Sequence, residues 1–145
     1  MSGLVTTALK AIHDTDPATE IANDLGDDLD KIRIGGADVL VAVYKRPEKA
    51  RHGSLVVHLP DQKRDEDDVQ GVVGLVLMMG PYAYKTEKTR HWFVDKDGEP
   101  APPKIGDWVA FDTKATLLTA IGKRMCRYVP DQYIRAILTE PDIVI

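Results

Sequence analysis

The chain has 145 residues, 43% hydrophobic and 29% charged, a size and balance that fit one globular domain with a short appendage and exclude two full domains. Nineteen basic and 23 acidic residues give a net charge of -4 with the signs interspersed, so the clustered basic face of a dedicated nucleic-acid binder is missing. A single cysteine, Cys126, rules out an internal disulfide, and no window is apolar enough for a signal peptide or a membrane span, so a reducing cytoplasm is expected.

The first 33 residues differ from the rest. Leu4, Val5, Ala8, Leu9 and Ile12 recur at helical spacing, and Ile21, Leu25, Leu29 and Ile32 do so again, which predicts two short amphipathic helices. Asp16 before Pro17 offers the second helix an N-cap and a first-turn proline, while Gly26 and the aspartates Asp27, Asp28 and Asp30 weaken it. Gly35-Gly36 ends the helical pattern. The change divides the chain into a helical N-terminal extension, residues 1–35, and a β domain, residues 36–145, and truncation after Ile34 is expected to leave that β domain folded.

From there the sequence predicts strands over 38–44, 55–59, 69–79, 107–112, 117–121, 125–129 and 134–138. Between the first two, residues 46–54 (RPEKARHGS) have the charge and glycine content of a loop that orders on binding, and they end in three consecutive aliphatics, Leu55, Val56 and Val57. Two readings stand side by side here. Either the aliphatics are displayed for a groove on a partner, or they begin the next buried strand. Residues 60–68 (PDQKRDEDD) read as a solvated hairpin tip, and 80–106 as a long excursion with four of the nine prolines and a turn at Asp97-Gly98. Short strands at this spacing indicate a mainly β fold, a small barrel in place of a doubly wound sheet.

Catalytic chemistry finds little support in the residue pattern. His13, His52, His58 and His91 lack the short spacing of a metal site, and Asp95 to Glu99 resembles the start of a calcium loop without its downstream bidentate glutamate. Ser54 follows a glycine near His52, but no nucleophile elbow surrounds it, and Cys126 lies in a strand, where a small buried hydrophobe is the ordinary role. We therefore expect a binder or scaffold that is not an enzyme and uses no cofactor or metal.

With the strands placed, the β part resembles the GroES family of small co-chaperonins, in order, from about Gly36 to the C-terminus. VLVAVYKR (residues 39–46) is similar to the family's first long strand with its basic exit, and Gly53-Ser54-Leu55-Val56-Val57 resembles the Gly-Gly-aliphatic triplet of its mobile loop. GVVGLVLMMG (71–80) looks like the strand before the roof, and DKDGEPAPPKIGDWVAF (95–111) like the roof return, with Lys104, Gly106, Asp107, Val109 and Phe111 in the Lys-x-Gly-Asp-x-Val-x-Phe pattern. CRYVPDQYIRAIL (126–138) resembles the closing strand, turn and strand. The resemblance implies a GroES-like β-barrel subunit of a homoheptameric ring, whose mobile loops, here Gly53 to Val57, bind the apical domains of a large chaperonin and cap its folding chamber. Three features depart from the family: the extra N-terminal residues, the longer and more aromatic 80–106 segment, and Ser54 in place of the second loop glycine. They suit a divergent relative such as a viral one, placed in the host cytoplasm or the virion.

Burying Leu55, Val56 and Val57 on a partner is worth roughly 5 to 8 kcal/mol before the cost of ordering the loop, about 1 kcal/mol or more per residue. A ring offsets that cost by presenting several loops at high effective concentration. The pairing edges expected for such a ring are residues 39–43 and 143–145. Two other classes compete. A structural assembly protein, such as a viral head or decoration component, would use the N-terminal extension as an arm and Tyr82, Tyr84, Trp92 and Phe93 as contacts, although those aromatics can equally form a local core under the loop. An oligonucleotide-binding barrel would stack bases on the same aromatics beside Lys85, Lys88 and Arg90, which the acidic net charge disfavours.

Overall fold

The structure, a computed structural model, describes residues 10–12, 15–46, 49–52, 55–58 and 72–144. The protein is mainly β. Its centre is strand β2 (Asp38–Val43), whose DVLVAV sequence has aliphatics on both faces and is buried along almost its whole length. A strand with no polar alternation belongs in the middle of a sheet. β2 is accordingly flanked on both sides, antiparallel to β5 (Val73–Met79) and to β8 (Arg124–Pro130). With β6 (Trp108–Phe111), β7 (Leu117–Ile121) and β9 (Ile134–Leu138) they form a six-stranded sheet in the order β7-β8-β2-β5-β6-β9. This sheet is open, with β7 and β9 at its edges, so the expected small barrel is present here as an unclosed antiparallel sheet. β1 (Lys10–Ile12), β3 (Lys49–His52) and β4 (Leu55–His58) make a separate three-stranded sheet in the order β1-β3-β4.

Both faces of the large sheet are covered, each by a different kind of element. On one face sits α1 (Pro17–Leu25). Its N-terminus is set as the sequence predicts, with Pro17 in the first turn and the Asp16 carboxylate accepting the Thr19 amide at 3.2 Å. The chain then tightens into a 3-10 turn over Asp28–Lys31, which shortens the predicted second helix. Ile21 and Leu25 are buried with Leu40, Ala42, Leu75, Ile121 and Cys126, and Leu29 and Ile32 pack against the same cluster. Helix and sheet therefore share one core, across the boundary at residue 35 that periodicity suggests. Gly122 allows the close approach: it sits at φ +59, and a Cβ there would collide with the backbone oxygens of Asp24 and Leu25. Of the predicted first helix, residues 10–12 are strand β1, and residues 4–9 lie outside the described residues.

The other face carries the excursion at residues 80–106. Tyr84 and Phe93 meet edge to face at 6.0 Å between ring centroids and join Val39, Val41, Val76, Val109, Phe111, Val129 and Ile134. Gly80 begins the segment where a Cβ would run into the carbonyl of Gly36, so only glycine lets the chain turn off β5 there. The expected hairpin turn forms at Asp95 to Glu99, closed by a bridge between Val94 and Pro100, with Gly98 at φ +79.

The ring edges expected at 39–43 and 143–145 need correction. β2 is central, with both sides of its backbone ladder occupied, and Pro141–Val144 is a 3-10 turn. Proline 141 removes a ladder donor and turns the chain, and the Tyr44 hydroxyl holds the turn by donating to the Asp142 carboxylate. The predicted hairpin tip at 60–68 lies outside the described residues.

Candidate partner-binding site

The segment that the sequence singles out is an insertion between two neighbouring strands. β2 and β5 pair directly, from Val39 opposite Met79 to Val43 opposite Gly74, and the Tyr44 amide still donates to the Val73 carbonyl at 2.8 Å. The chain leaves the sheet after that bond and returns to it at Val73. In between it forms the β3–β4 pair, with Lys49 opposite His58, Ala50 opposite Val57, Arg51 opposite Val56 and His52 opposite Leu55. The charged run expected to be a loop is thus partly strand, because Lys-Ala-Arg-His finds backbone partners in the Leu-Val-Val-His segment that follows, whose two valines favour a strand. Leu55, Val56 and Val57 all belong to β4, so the strand alternative at this position describes their backbone. That strand lies in the small sheet and does not join the large one. Gly53 and Ser54 lie outside the described residues. The N-terminal segment reaches the same hairpin, since Lys10–Ile12 pairs antiparallel with β3.

The excursion supplies a second group of candidates, and the structure separates them. Tyr84 and Phe93 face the core, whereas Tyr82 is 64% exposed. Two of the four aromatics are therefore unavailable as a stacking platform beside Lys85, Lys88 and Arg90. The segment is fastened by polar bonds that motif reading passed over. The buried Asp131 carboxylate accepts the Tyr84 amide at 2.9 Å, the Tyr84 hydroxyl donates to the Asp131 carbonyl at 2.8 Å, and Trp92 Nε1 donates to the Ile134 carbonyl at 3.1 Å. Tyr84 adopts φ 59, an uncommon conformation for a bulky residue, and these two bonds hold it there. Burial, reinforced by the Asp131 charge, pushes its hydroxyl pKa well above the ordinary tyrosine value.

A second missed residue is Arg124. It is buried at the start of β8, where its Nε and Nη2 donate to the Val43 carbonyl at 3.2 and 2.9 Å and its Nη1 pairs with Asp24 of α1 at 3.1 Å. One guanidinium thus ties the helix to the end of β2, beside the root of the inserted hairpin. Arg124 follows Gly122-Lys123 just before the predicted 125–129 strand, a setting that carries no local signal for such a partner.

Two of the residues considered for chemistry, Cys126 and Asp95, are otherwise engaged. Cys126 is fully buried and its thiol is pushed up to about 12, first by burial and against the lowering effect of Arg124, so it fills the core. The Asp95 carboxylate accepts the backbone amides of Asp97 and Glu99 at 2.8 and 3.1 Å, the ordinary work of an aspartate in a turn. Among the described residues no group of three His, Cys, Asp or Glu side chains could hold a metal ion, and no helix is long and apolar enough to cross a membrane. Two open clefts flank Ile105, one of 270 Å3 between α1 and β5 and one of 530 Å3 between residues 79–85 and 102–105. No protein-family model matches the chain, and no curated protein is significantly similar to it.

Proposed function

We propose that the chain is a co-chaperonin-like subunit of the GroES type, which docks on a large chaperonin through the β3–β4 hairpin and acts as one member of a ring-shaped cap. The observation that carries the reading is the placement of the hairpin. It is inserted between adjacent strands at the centre of a well-packed sheet, yet pairs only within its own small sheet. An element built this way can change its surroundings on binding without disturbing the core that supports it. Gly53, Ser54, Leu55, Val56 and Val57 are the proposed contact residues, the last three supplying about 1.5 to 3 kcal/mol each when fully buried on a partner.

A structural assembly role, such as a head or decoration component, is the second reading, and one observation favours it. The N-terminal strand β1 is incorporated in the same small sheet as the hairpin, so residues 10–12 of the extension and the hairpin are one element, as an arm between subunits would be.

The double substitution Leu55→Ser with Val56→Ser separates the two. The capping reading expects a melting temperature within a few degrees of the parent, loss of co-elution with a large chaperonin in the presence of nucleotide, and loss of any effect on chaperonin ATP turnover. A stable double variant that still binds the chaperonin removes these residues from the contact. A parent protein that never alters ATP turnover moves the assignment to assembly.

A further inference from the structure

The larger of the two clefts beside Ile105 is walled by the start and the end of the excursion. Residues 79–85, where the chain turns off β5, form one side and residues 102–105, where it returns, form the other. The cleft holds 530 Å3, within the range of about 300 to 1,000 Å3 typical of small-molecule sites. Met79, Ala83, Pro102 and Ile105 give it an apolar lining, and Ile105 stands at its mouth 68% exposed. That is a large aliphatic surface left to water.

The charged groups of the cleft are of one sign. Lys85 comes from one wall and Lys104 from the other, both exposed, and no carboxylate lines the space between them. Among the described residues neither ammonium has an ion-pair or hydrogen-bond partner. Asp107, the acidic residue closest to Lys104 in sequence, accepts the Lys104 backbone amide at 2.9 Å. In a chain of net charge -4, two unshared positive charges on one apolar cleft reverse the prevailing sign. Low-dielectric walls concentrate that field, and the lysine stems extend the apolar lining toward the charged heads.

The walls are also fixed in place. Tyr84 keeps its φ of 59 through its two bonds to Asp131, Pro103 is fully buried beside the conformationally restricted Pro102, and Gly80 is pressed against the Gly36 carbonyl. A ligand entering a rigid cleft spends little of its binding energy on ordering the protein. The neighbouring cleft against α1 makes the opposite choice. It holds 270 Å3, and its one charged lining residue is Asp30, which repels an anion.

We propose that the cleft between residues 79–85 and 102–105 is a binding site for a small aliphatic carboxylate, its tail against Met79, Pro102 and Ile105 and its carboxylate between Lys85 and Lys104. The site takes no residue from the β3–β4 hairpin, so it stands apart from the docking role proposed above.

Calorimetric titration of the full chain with decanoate, below its micellar concentration, tests the assignment. Saturable binding at one site is expected, with decanol at least tenfold weaker and acetate and decylammonium silent. The variant Lys85→Met/Lys104→Met keeps both stems and removes both charges from exposed positions, so circular dichroism should be unchanged. It should weaken decanoate at least tenfold while leaving decanol within twofold. In amide nitrogen–proton NMR spectra, decanoate should shift residues 79, 80, 82–85, 104 and 105 and leave Ala18 and Ala22 of the α1 cleft in place. Equal affinity for decanol and decanoate, an undiminished affinity in the double variant, or shifts confined to the α1 cleft would each overturn the proposal. Decyl phosphate binding tenfold tighter than decanoate would overturn the carboxylate as the recognised head.

Discussion

Ile21→Ala tests whether α1 belongs to the core of the sheet. Ile21 is fully buried, with Leu25 beside it and Leu40, Ala42, Leu75 and Ile121 beneath. The substitution removes three carbons, about 0.8 kcal/mol each in transfer free energy, or roughly 2.4 kcal/mol. A cavity cost adds to this, within the range of about 2 to 5 kcal/mol seen for truncating buried Ile or Leu. Ile21 also lines the open 270 Å3 cleft, where the surroundings can relax, so the lower half of that range applies and we expect about 3 kcal/mol. In a domain of this length that lowers the melting temperature by roughly 10 °C. Urea unfolding followed by circular dichroism reads the loss as a lower midpoint at unchanged slope, with the exposed Glu20→Ala as a control expected within about 0.5 kcal/mol of the parent. The same packing predicts that truncation after Ile34 exposes Leu40, Leu75 and Ile121 and strips Arg124 of Asp24, giving a chain that binds hydrophobic dye and unfolds without a cooperative transition. An Ile21→Ala protein within 0.5 kcal/mol of the parent, or a truncated chain that melts cooperatively, would refute a shared core.

Arg124→Met removes the only side chain that joins α1, β8 and the Val43 carbonyl among the described bonds; Asp24 remains partly exposed and can be hydrated, so the expected cost is about 1 to 3 kcal/mol in denaturant midpoint. Alkaline titration should weaken the fold through Tyr84 and Cys126. Both folded pKa values are raised by burial above ordinary values of 10.0 and 9.0, so the unfolded chain loses these protons first. Their stability contribution is complete below about pH 9 and declines as pH climbs toward the folded values. Cys126→Ala should flatten the early part of that decline and Tyr84→Phe the later part, and unchanged slopes in both variants would contradict the assignment.

Strand identity was legible wherever pattern and backbone pairing agree. The alternation of Leu117 to Ile121 and of Ile134 to Leu138 marks two strands at the residues where the structure has them, and the aliphatic run of β2 marks its burial. Asp16-Pro17 likewise fixes the start of α1. What the local pattern could not carry is long-range. The periodicity change at Gly35-Gly36 suggests a boundary, yet Ile21 and Leu25 complete the same cluster as Leu40 and Ile121, because burial is decided by the facing surface and not by chain continuity. Lys49–His52 reads as loop on composition, and its strand pairing comes from the neighbouring Leu55–His58. Sheet closure has no local signature, since it depends on whether two edges far apart in sequence meet. At the candidate site the sequence could point to Leu55, Val56 and Val57 but not to Asp131 or Arg124, whose roles exist only through bonds to Tyr84, Val43 and Asp24.

If the hairpin is a docking element and not a support, the sheet should survive without it. Tyr44 and Val73 already stand as hydrogen-bonded neighbours at the point where the insertion begins and ends. Replacing residues 45–72 by Asn-Gly puts a two-residue turn directly after the hydrogen-bonded Tyr44–Val73 pair and converts β2 and β5 into an ordinary hairpin. Shortening a loop lowers its closure cost by only about 0.6 kcal/mol per halving, so the entropic gain is small but favourable. Against it stand the loss of the β3–β4 pairing and of the short β1 strand's partner, neither of which contributes a strand to the large sheet. We therefore expect the shortened chain to keep cooperative unfolding, with stability within about 1 to 2 kcal/mol of the parent. It should lose all association with a large chaperonin. Collapse of the large sheet on this deletion would show that the hairpin supports the core, and the docking role would then fail at its structural premise.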